Sequence, residues 1–374
     1  MISEEVFYAN LNQKNIAPLD GLRAIAVLLV VFYHFGIQLG FYPLPGYLGV
    51  MIFFVLSGFL ITWLLLRENA SIGDISLKKF YLRRTLRIFP ALCVYWIFSV
   101  VACLVFHKVV PWEYAIGALF YVANYVYALD RGDVEFMMQT WSLAVEEQFY
   151  LLWPLVFRRW RNNLTKLSTI LMSVIGTVWI YRIVLRFGFG VGRDYLQYAF
   201  DCRMDSLFTG CLLAVLLKGN RLTSVVKLVC MNQLMPLFTI GILAMNVHFA
   251  NSIGPNYSQI VGFPVEEFFV AVLLIQLIGM SAAAAWSWLK STPMRFVGRL
   301  SYSLYLYHGL AVNYLPMKLR VALNAGGNFA KVSFGLTFSI VAASVSYFVI
   351  EKTFLRLKQR YEPFLKLSAD FFGT

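Results

Sequence analysis

Charge is what this sequence has least of: Asp, Glu, Lys and Arg make up 14% of its 374 residues, where a soluble domain carries roughly a quarter. That shortage, set beside 60% hydrophobic and 17% aromatic residues, excludes an ordinary soluble fold. Polar stretches long enough to bury a core of their own are missing as well, so a single membrane domain with no appended soluble module is expected. Acids are scarcer than bases, 19 against 32. The net charge of +13 does not call for nucleic acid, because Lys and Arg collect in the cytoplasmic loops of membrane proteins. The five cysteines, Cys93, Cys103, Cys202, Cys211 and Cys230, lie in or beside apolar segments. No CxxC or Cys/His spacing offers a metal site, and they read as free thiols that pack as small side chains. A small-residue cleavage site after the first apolar segment is lacking too. Gly, Tyr and Pro follow it and a second apolar stretch begins at once, so it is expected to stay as a span and not leave as a signal peptide. Solenoid-period repeats and low-complexity linkers are absent.

What is present is a series of runs of about 20 apolar residues, the length that crosses about 30 Å of hydrocarbon. They are Leu22 to Leu39, Tyr47 to Leu66, Ala91 to His107, Trp141 to Phe157, Ser168 to Phe187, Met204 to Leu217, Leu228 to His248, Val265 to Leu289, Phe296 to Pro316 and Ser333 to Ile350. The fold class is therefore all-α, a polytopic membrane protein of about ten transmembrane helices. Basic clusters at 78–87, 158–166, 218–227, 290–299 and 356–360 all fall on one side if there are ten spans and the short patch 114–129 does not cross. That patch is then a re-entrant or interfacial segment, and both termini are cytoplasmic. Lys318 and Lys331 fall on the other side of this arrangement. The expected division is a cytoplasmic N-terminal segment over 1–18, a membrane domain over 19–351 and a cytoplasmic tail over 352–374.

Ionisable groups at membrane depth are costly and usually have a task. Arg23 and His34 are eleven residues apart, close to three helical turns, so both lie on one face about 16 Å apart along the axis. Arg23 sits at the cytoplasmic mouth and His34 past the midplane. Two readings of His34 stand at this point: a neutral imidazole that takes a proton, or a histidine satisfied by a neighbouring helix. In "SLKKFYLRRTLRIFP", Arg83, Arg84 and Arg87 meet the third span; they either anchor the loop or clamp phosphates with their guanidinium groups. In "QTWSLAVEEQFYLLWPL", Glu146 and Glu147 point about 100° apart, so one of them can face a given cavity. A carboxylate near His34 would hold its tautomer; placement at the outer interface is the other reading. Lesser signals are Asp201, Arg203 and Asp205, the pair Arg182 and Arg186, and "SYSLYLYH" with Ser301, Tyr305 and His308 on one face. The glycine-punctuated "GYLGVMIFFVLSGFLIT" reads as a surface for close helix packing.

Taken in order, "LDGLRAIAVLLVVFYH", "GYLGVMIFFVLSGFLIT", "RRTLRIFP", "TWSLAVEEQFYLLWP", "DCRMDSLFTG" and "SYSLYLYH" resemble the acyltransferase-3 family of membrane O-acyltransferases, from about Leu19 to about Glu351. The resemblance implies an enzyme that transfers an acyl group, typically acetyl, from cytoplasmic acyl-CoA to a hydroxyl of an extracytoplasmic carbohydrate. Acceptors of that kind are lipopolysaccharide O-antigen, exopolysaccharide, peptidoglycan and lipo-oligosaccharides. It further implies a bacterial inner membrane location and no metal. Arg23 and His34 match the family's arginine, ten residues, histidine motif, with His34 catalytic. Arg84 and Arg87 match its RxxR motif with Arg83 beside them, which turns the three toward acyl-CoA, and Glu147 matches its conserved-motif acid as a second catalytic residue that would orient or balance His34. The esterase-like domain carried by some members is not seen here, so a second transfer step is expected to need a partner protein. The acceptor site would be shaped by outer elements such as 130–138, with Gln139 and Tyr33 offered to a sugar. The rival from another class is a transporter or flippase of a lipid-linked saccharide, which predicts matching halves with broken helices.

Overall fold

The computed structural model of the protein describes residues 4–13, 16–39, 44–129, 136–310 and 327–359. Their regular structure is helical: α1 Glu4–Leu11, α2 Ala17–Leu39, α3 Gly46–Ile72, α4 Leu77–Val105, α5 Trp112–Leu119, α6 Ala123–Leu129, α7 Thr140–Trp160, α8 Leu164–Ile183, α9 Arg193–Tyr198, α10 Phe200–Lys218, α11 Thr223–Val229, α12 Met235–Ile253, α13 Pro255–Tyr257, α14 Phe263–Gly279, α15 Thr292–Tyr307, α16 Gly327–Ser346 and α17 Lys352–Gln359. Seven helical stretches among the described residues are long and apolar enough to cross a bilayer: Ala17–Gly36, Gly46–Ile72, Leu77–Val105, Leu164–Gly188, Met235–Ile253, Pro255–Gly279 and Ala330–Leu357. Three more of the expected spans, those at Trp141, Met204 and Phe296, fall on helices α7, α10 and α15, which carry more polar residues or are shorter. Beyond residue 310 the last of these lies outside the described residues, as does the chain after 359. The apolar patch 114–129 folds as α5 and α6, eight and seven residues long. At about 1.5 Å per residue neither reaches across the hydrocarbon.

Local chemistry sets the helix starts. Ser76 has extended dihedrals and its side chain accepts from the Lys79 N–H at 3.4 Å, so α4 begins at Leu77 and Arg83, Arg84 and Arg87 stand on a helix, where the sequence reading placed a loop. Asn163 caps α8 in the same way, accepting from the Lys166 N–H at 2.9 Å. Along the spans, large apolar side chains turn outward with no protein cover. Phe98 is 59% and Phe238 69% exposed, which suits hydrocarbon and would be a liability in water.

The chain divides into two compact units. The first comprises residues 1–63, 127–131 and 163–301. Within it α8 packs along α10, α12 along α14, and α1 against α14, with Phe7 and Leu11 of the N-terminal helix fully buried. Helices α3 and α10 meet through glycines on both sides. A Cβ on Gly58 would overlap the Leu207 carbonyl oxygen, and one on Gly210 the Val55 carbonyl oxygen, so the two backbones are in direct contact there. The close-packing reading of the glycine-punctuated segment holds. Four of the five free cysteines, Cys103, Cys202, Cys211 and Cys230, are buried.

The second unit comprises residues 64–126, 132–162 and 302–374. Its centre is α4, against which α5, α7 and α17 pack. The Trp96 indole N–H donates to the Ala115 carbonyl at 2.7 Å, tying the short α5 to the long helix. The Tyr302 hydroxyl donates to the Ile88 carbonyl of α4 at 2.8 Å.

Candidate functional site

In the first unit the chemistry is carried by α2. Pro18 stands at its first turn and Asp20 adds an acid there, both favoured at a helix start. Asp20 is also the counter-ion of Arg23, whose NH1 donates to Oδ1 at 3.2 Å. The Arg23 side chain remains 27% exposed. The i, i+3 spacing of these two residues is a local signal that the sequence reading passed over.

His34, three turns along, places Nδ1 2.9 Å from the Val30 carbonyl oxygen. A carbonyl oxygen only accepts, so Nδ1 carries a hydrogen, and in the neutral ring the basic lone pair is then on Nε2. The neighbouring Tyr33 ring meets the imidazole edge to face, 5.3 Å between centroids, and leans on Tyr47 at 5.2 Å. A Cβ at Gly46 would strike the Tyr33 ring, which is why a glycine starts α3 beside it. Tyr33 and Tyr47, with Tyr198, Gln197, Gln259 and Glu266, line a cavity of about 730 Å³ at the His34 end of α2. The last three of these residues were not anticipated. The remaining charged signals of this unit form its scaffold: Arg182 and Asp205, both fully buried, pair at 2.7 Å, and the Arg203 guanidinium lies 3.8 Å from the centre of the Phe263 ring. Arg186 lies apart from that pair and donates to Asn256 at 2.6 Å.

In the second unit α4 and α7 bring Arg83, Arg84, Arg87 and Glu147 together. Arg83 donates to Glu68 Oε2 at 2.9 Å while the other oxygen of Glu68 accepts the Ser76 N–H at 3.0 Å, so one carboxylate fixes both the start of α4 and the first arginine. Glu68 is 2% exposed. The Arg84 guanidinium lies over the Tyr150 ring at 5.0 Å and over the Phe80 ring at 5.9 Å, measured to the ring centres. Arg84 and Glu147 attract each other, and Glu147 Oε1 is buried without a hydrogen-bond partner. Arg87 faces the charge of Glu351, whose carboxylate is held by the Ser303 hydroxyl. Gln139, expected at an acceptor site, is buried and donates to the Tyr95 hydroxyl at 2.6 Å and the Leu306 carbonyl at 2.7 Å, a structural bridge. Tyr305 shares a 2.5 Å hydrogen bond with Ser142. Residues 130–135 of the expected outer segment lie outside the described residues.

The sequence pattern of the acyltransferase-3 family, described as an acyltransferase domain, matches residues 16–348. The chain belongs to the acyltransferase-3 family. Among curated relatives of this family, a peptidoglycan O-acetyltransferase, OatA, of Listeria monocytogenes is 32% identical over 314 residues, which is 79% of this chain and 49% of that protein. An O-acetyltransferase OatA of Staphylococcus aureus is 32% identical over 312 residues, 78% of this chain and 49% of its own. A putative peptidoglycan O-acetyltransferase, YrhL, of Bacillus subtilis is 28% identical over 368 residues, 93% of this chain and 56% of its own. The chain thus spans about half the length of the curated relatives it matches. No solved structure matches it.

Proposed function

We propose that this protein is a membrane O-acetyltransferase that moves an acetyl group from acetyl-CoA to a hydroxyl of an extracytoplasmic glycan. The observation that carries the reading is the similarity, over 78–93% of the chain, to proteins named as O-acetyltransferases, two of them for peptidoglycan. Of the acceptors open to the family, that similarity favours peptidoglycan over O-antigen or exopolysaccharide. A bacterial cytoplasmic membrane is the matching location. The transport reading has no comparable support.

Arg83, Arg84 and Arg87 bind the phosphates of the donor, which guanidinium groups meet with paired N–H bonds. Arg23 adds a cation at its own end of α2. His34 acts as general base: Nε2 takes the acceptor hydroxyl proton as that oxygen attacks the thioester carbonyl carbon. The new C–O bond forms, the C–S bond breaks, and the imidazolium returns its proton to the departing sulfur. The Val30 carbonyl, by accepting from Nδ1–H, holds the ring in the tautomer this step needs. Glu147 contributes the unpartnered carboxylate oxygen of the second unit.

The test is acetylation of cell-surface glycan, read from O-acetyl proton signals in a deletion strain complemented with wild type or His34→Ala at equal expression. Purified protein with labelled acetyl-CoA gives the same comparison in isolation. Loss of a general base lowers the rate by roughly 10²–10⁴. A His34→Ala protein that acetylates as well as wild type removes the base from the mechanism, and an acetyl adduct on the His34 peptide replaces direct transfer by two steps. Absence of any acetyl signal dependent on the protein overturns the reading.

A further inference from the structure

The cavity beside Tyr33 has features of a ligand site that helix packing does not require. Its volume, about 730 Å³, lies within the range of roughly 300–1,000 Å³ usual for small-molecule sites. Three lining side chains from two separate segments, Gln197, Gln259 and Glu266, are only 9%, 4% and 5% exposed. Each nevertheless has a polar atom with no hydrogen-bond partner: Gln197 Nε2, Gln259 Oε1 and Glu266 Oε2. Native interiors pair nearly all such groups, and leaving one unmade costs about 1–3 kcal/mol.

Two of the three are also held at their far ends. The Gln259 amide donates to the Arg193 carbonyl at 2.7 Å, and Glu266 Oε1 accepts from the Asn246 amide at 3.3 Å, with Asn246 itself fixed by the Tyr257 hydroxyl at 3.0 Å. A side chain anchored through one polar atom while the other stays unpaired is pre-set for a third party. The three atoms offer one donor and two acceptors, the complement of a sugar that presents hydroxyl groups and an acetamido N–H and C=O. The Tyr33, Tyr47 and Tyr198 rings give apolar walls of the kind a pyranose face rests on. Arg193 is the single Arg or Lys in this lining, and Asp194 stands 3.8 Å from it, so the cavity has no cluster of cations of the kind that phosphates call for. A ligand against Tyr33 is one ring away from His34.

We propose that this cavity is the seat of the acceptor: Gln197, Gln259 and Glu266 read the hydroxyl and acetamido groups of an N-acetylhexosamine-bearing glycan, with Tyr33, Tyr47 and Tyr198 as its walls. The assignment rests on the acyl-transfer reading above and adds the residues that select its acceptor.

The experiment is binding of chitotriose, an N-acetylglucosamine oligomer, to purified full-length protein in detergent, followed by saturation-transfer NMR and repeated on Gln197→Leu and Glu266→Gln. The second variant keeps the side-chain shape and an acceptor oxygen, so it guards against a folding artefact in the first; melting curves are recorded for both. Loss of one hydrogen bond of this kind weakens Kd about 5- to 10-fold. That weakening in both variants, at unchanged melting temperature, is the expected result. No chitotriose binding by wild type, or the same Kd in wild type and both variants, overturns the assignment. Labelled acetyl-CoA turnover by the same preparation is the separate readout: if label still reaches glycan while the variants bind normally, the acceptor seat is wrong and the transferase reading stands, and if label reaches no glycan that reading itself fails.

Discussion

The Arg182–Asp205 pair offers a sharp test of what holds the first unit together. Both side chains are fully buried, 2.7 Å apart, and Arg182 NH1 also donates to the Cys202 carbonyl at 2.8 Å, so the arginine is placed before its partner is considered. Asp205→Asn keeps the shape and removes the charge. Breaking one side of a buried pair costs about 3–5 kcal/mol, because the remaining ion has no water to return to. Glu267 lies close enough to Arg182 to take up part of the lost attraction, which puts the expectation at the low end, about 3 kcal/mol. For a unit of this size that corresponds to a fall in melting temperature on the order of 5–10 °C. The assay is thermal unfolding in detergent, read by tryptophan fluorescence, together with Arg182→Met and the double variant Arg182→Met/Asp205→Leu. Since an apolar pair of similar volume often matches a buried ion pair, the double variant is expected to recover most of the loss from either single change. A single-variant shift under about 2 °C, or losses that simply add in the double variant, would show that the pair is not a coupled buried interaction.

Further outcomes follow from other contacts. Gly210→Ala places a methyl group against the Val55 carbonyl in the α3–α10 crossing; because backbone must move, a loss of about 1–3 kcal/mol is expected in the same melting assay, and wild-type stability would contradict the backbone contact. Glu68→Gln keeps an acceptor for the Ser76 N–H but strips the charge that orients Arg83, so about 1.5–3 kcal/mol of stability is lost; if Arg83 holds the donor as proposed, the KM for acetyl-CoA also rises more than kcat falls, and steady-state kinetics with both parameters unchanged would refute it. Outside the membrane, the hydrogen bond from Arg158 holds the Asp74 carboxyl below its ordinary range. A depressed folded-state value adds stability above the ordinary aspartate pKa of about 3.9, lost as pH falls through the lower folded one. Asp74→Asn should therefore soften acid unfolding below about pH 4 and leave a small deficit at neutrality, checked by unfolding curves at several pH values.

Helix class, most span positions and the Arg23–His34 register were legible because they depend on local composition and the helical repeat. The three arginines were legible as one basic cluster at the mouth of the third span, but the helix that carries them begins earlier than the apolar run suggests, since the cap at Ser76 that starts α4 is a single hydroxyl. Asp20 carried a local signal three residues from Arg23. Glu68, fifteen residues before Arg83, carried none, and neither did the pairing of Arg182 with Asp205 or the convergence of Gln197, Gln259 and Glu266 on one cavity. Such contacts are chosen by tertiary packing and leave no periodic trace. Gln139 shows the converse: its place next to Trp141 suggested an interface, and the fold used its amide to bridge Tyr95 and Leu306.

Arg84 keeps its charged head 5.0 Å from the centre of the Tyr150 ring. An aromatic face attracts a cation without accepting its N–H bonds as a carboxylate does. The ring therefore helps to hold the guanidinium in place without taking up the donors that an anion would use. A lysine at the same place would keep the charge and the attraction to the ring, but would lose the planar fork that meets an anion with two bonds at once.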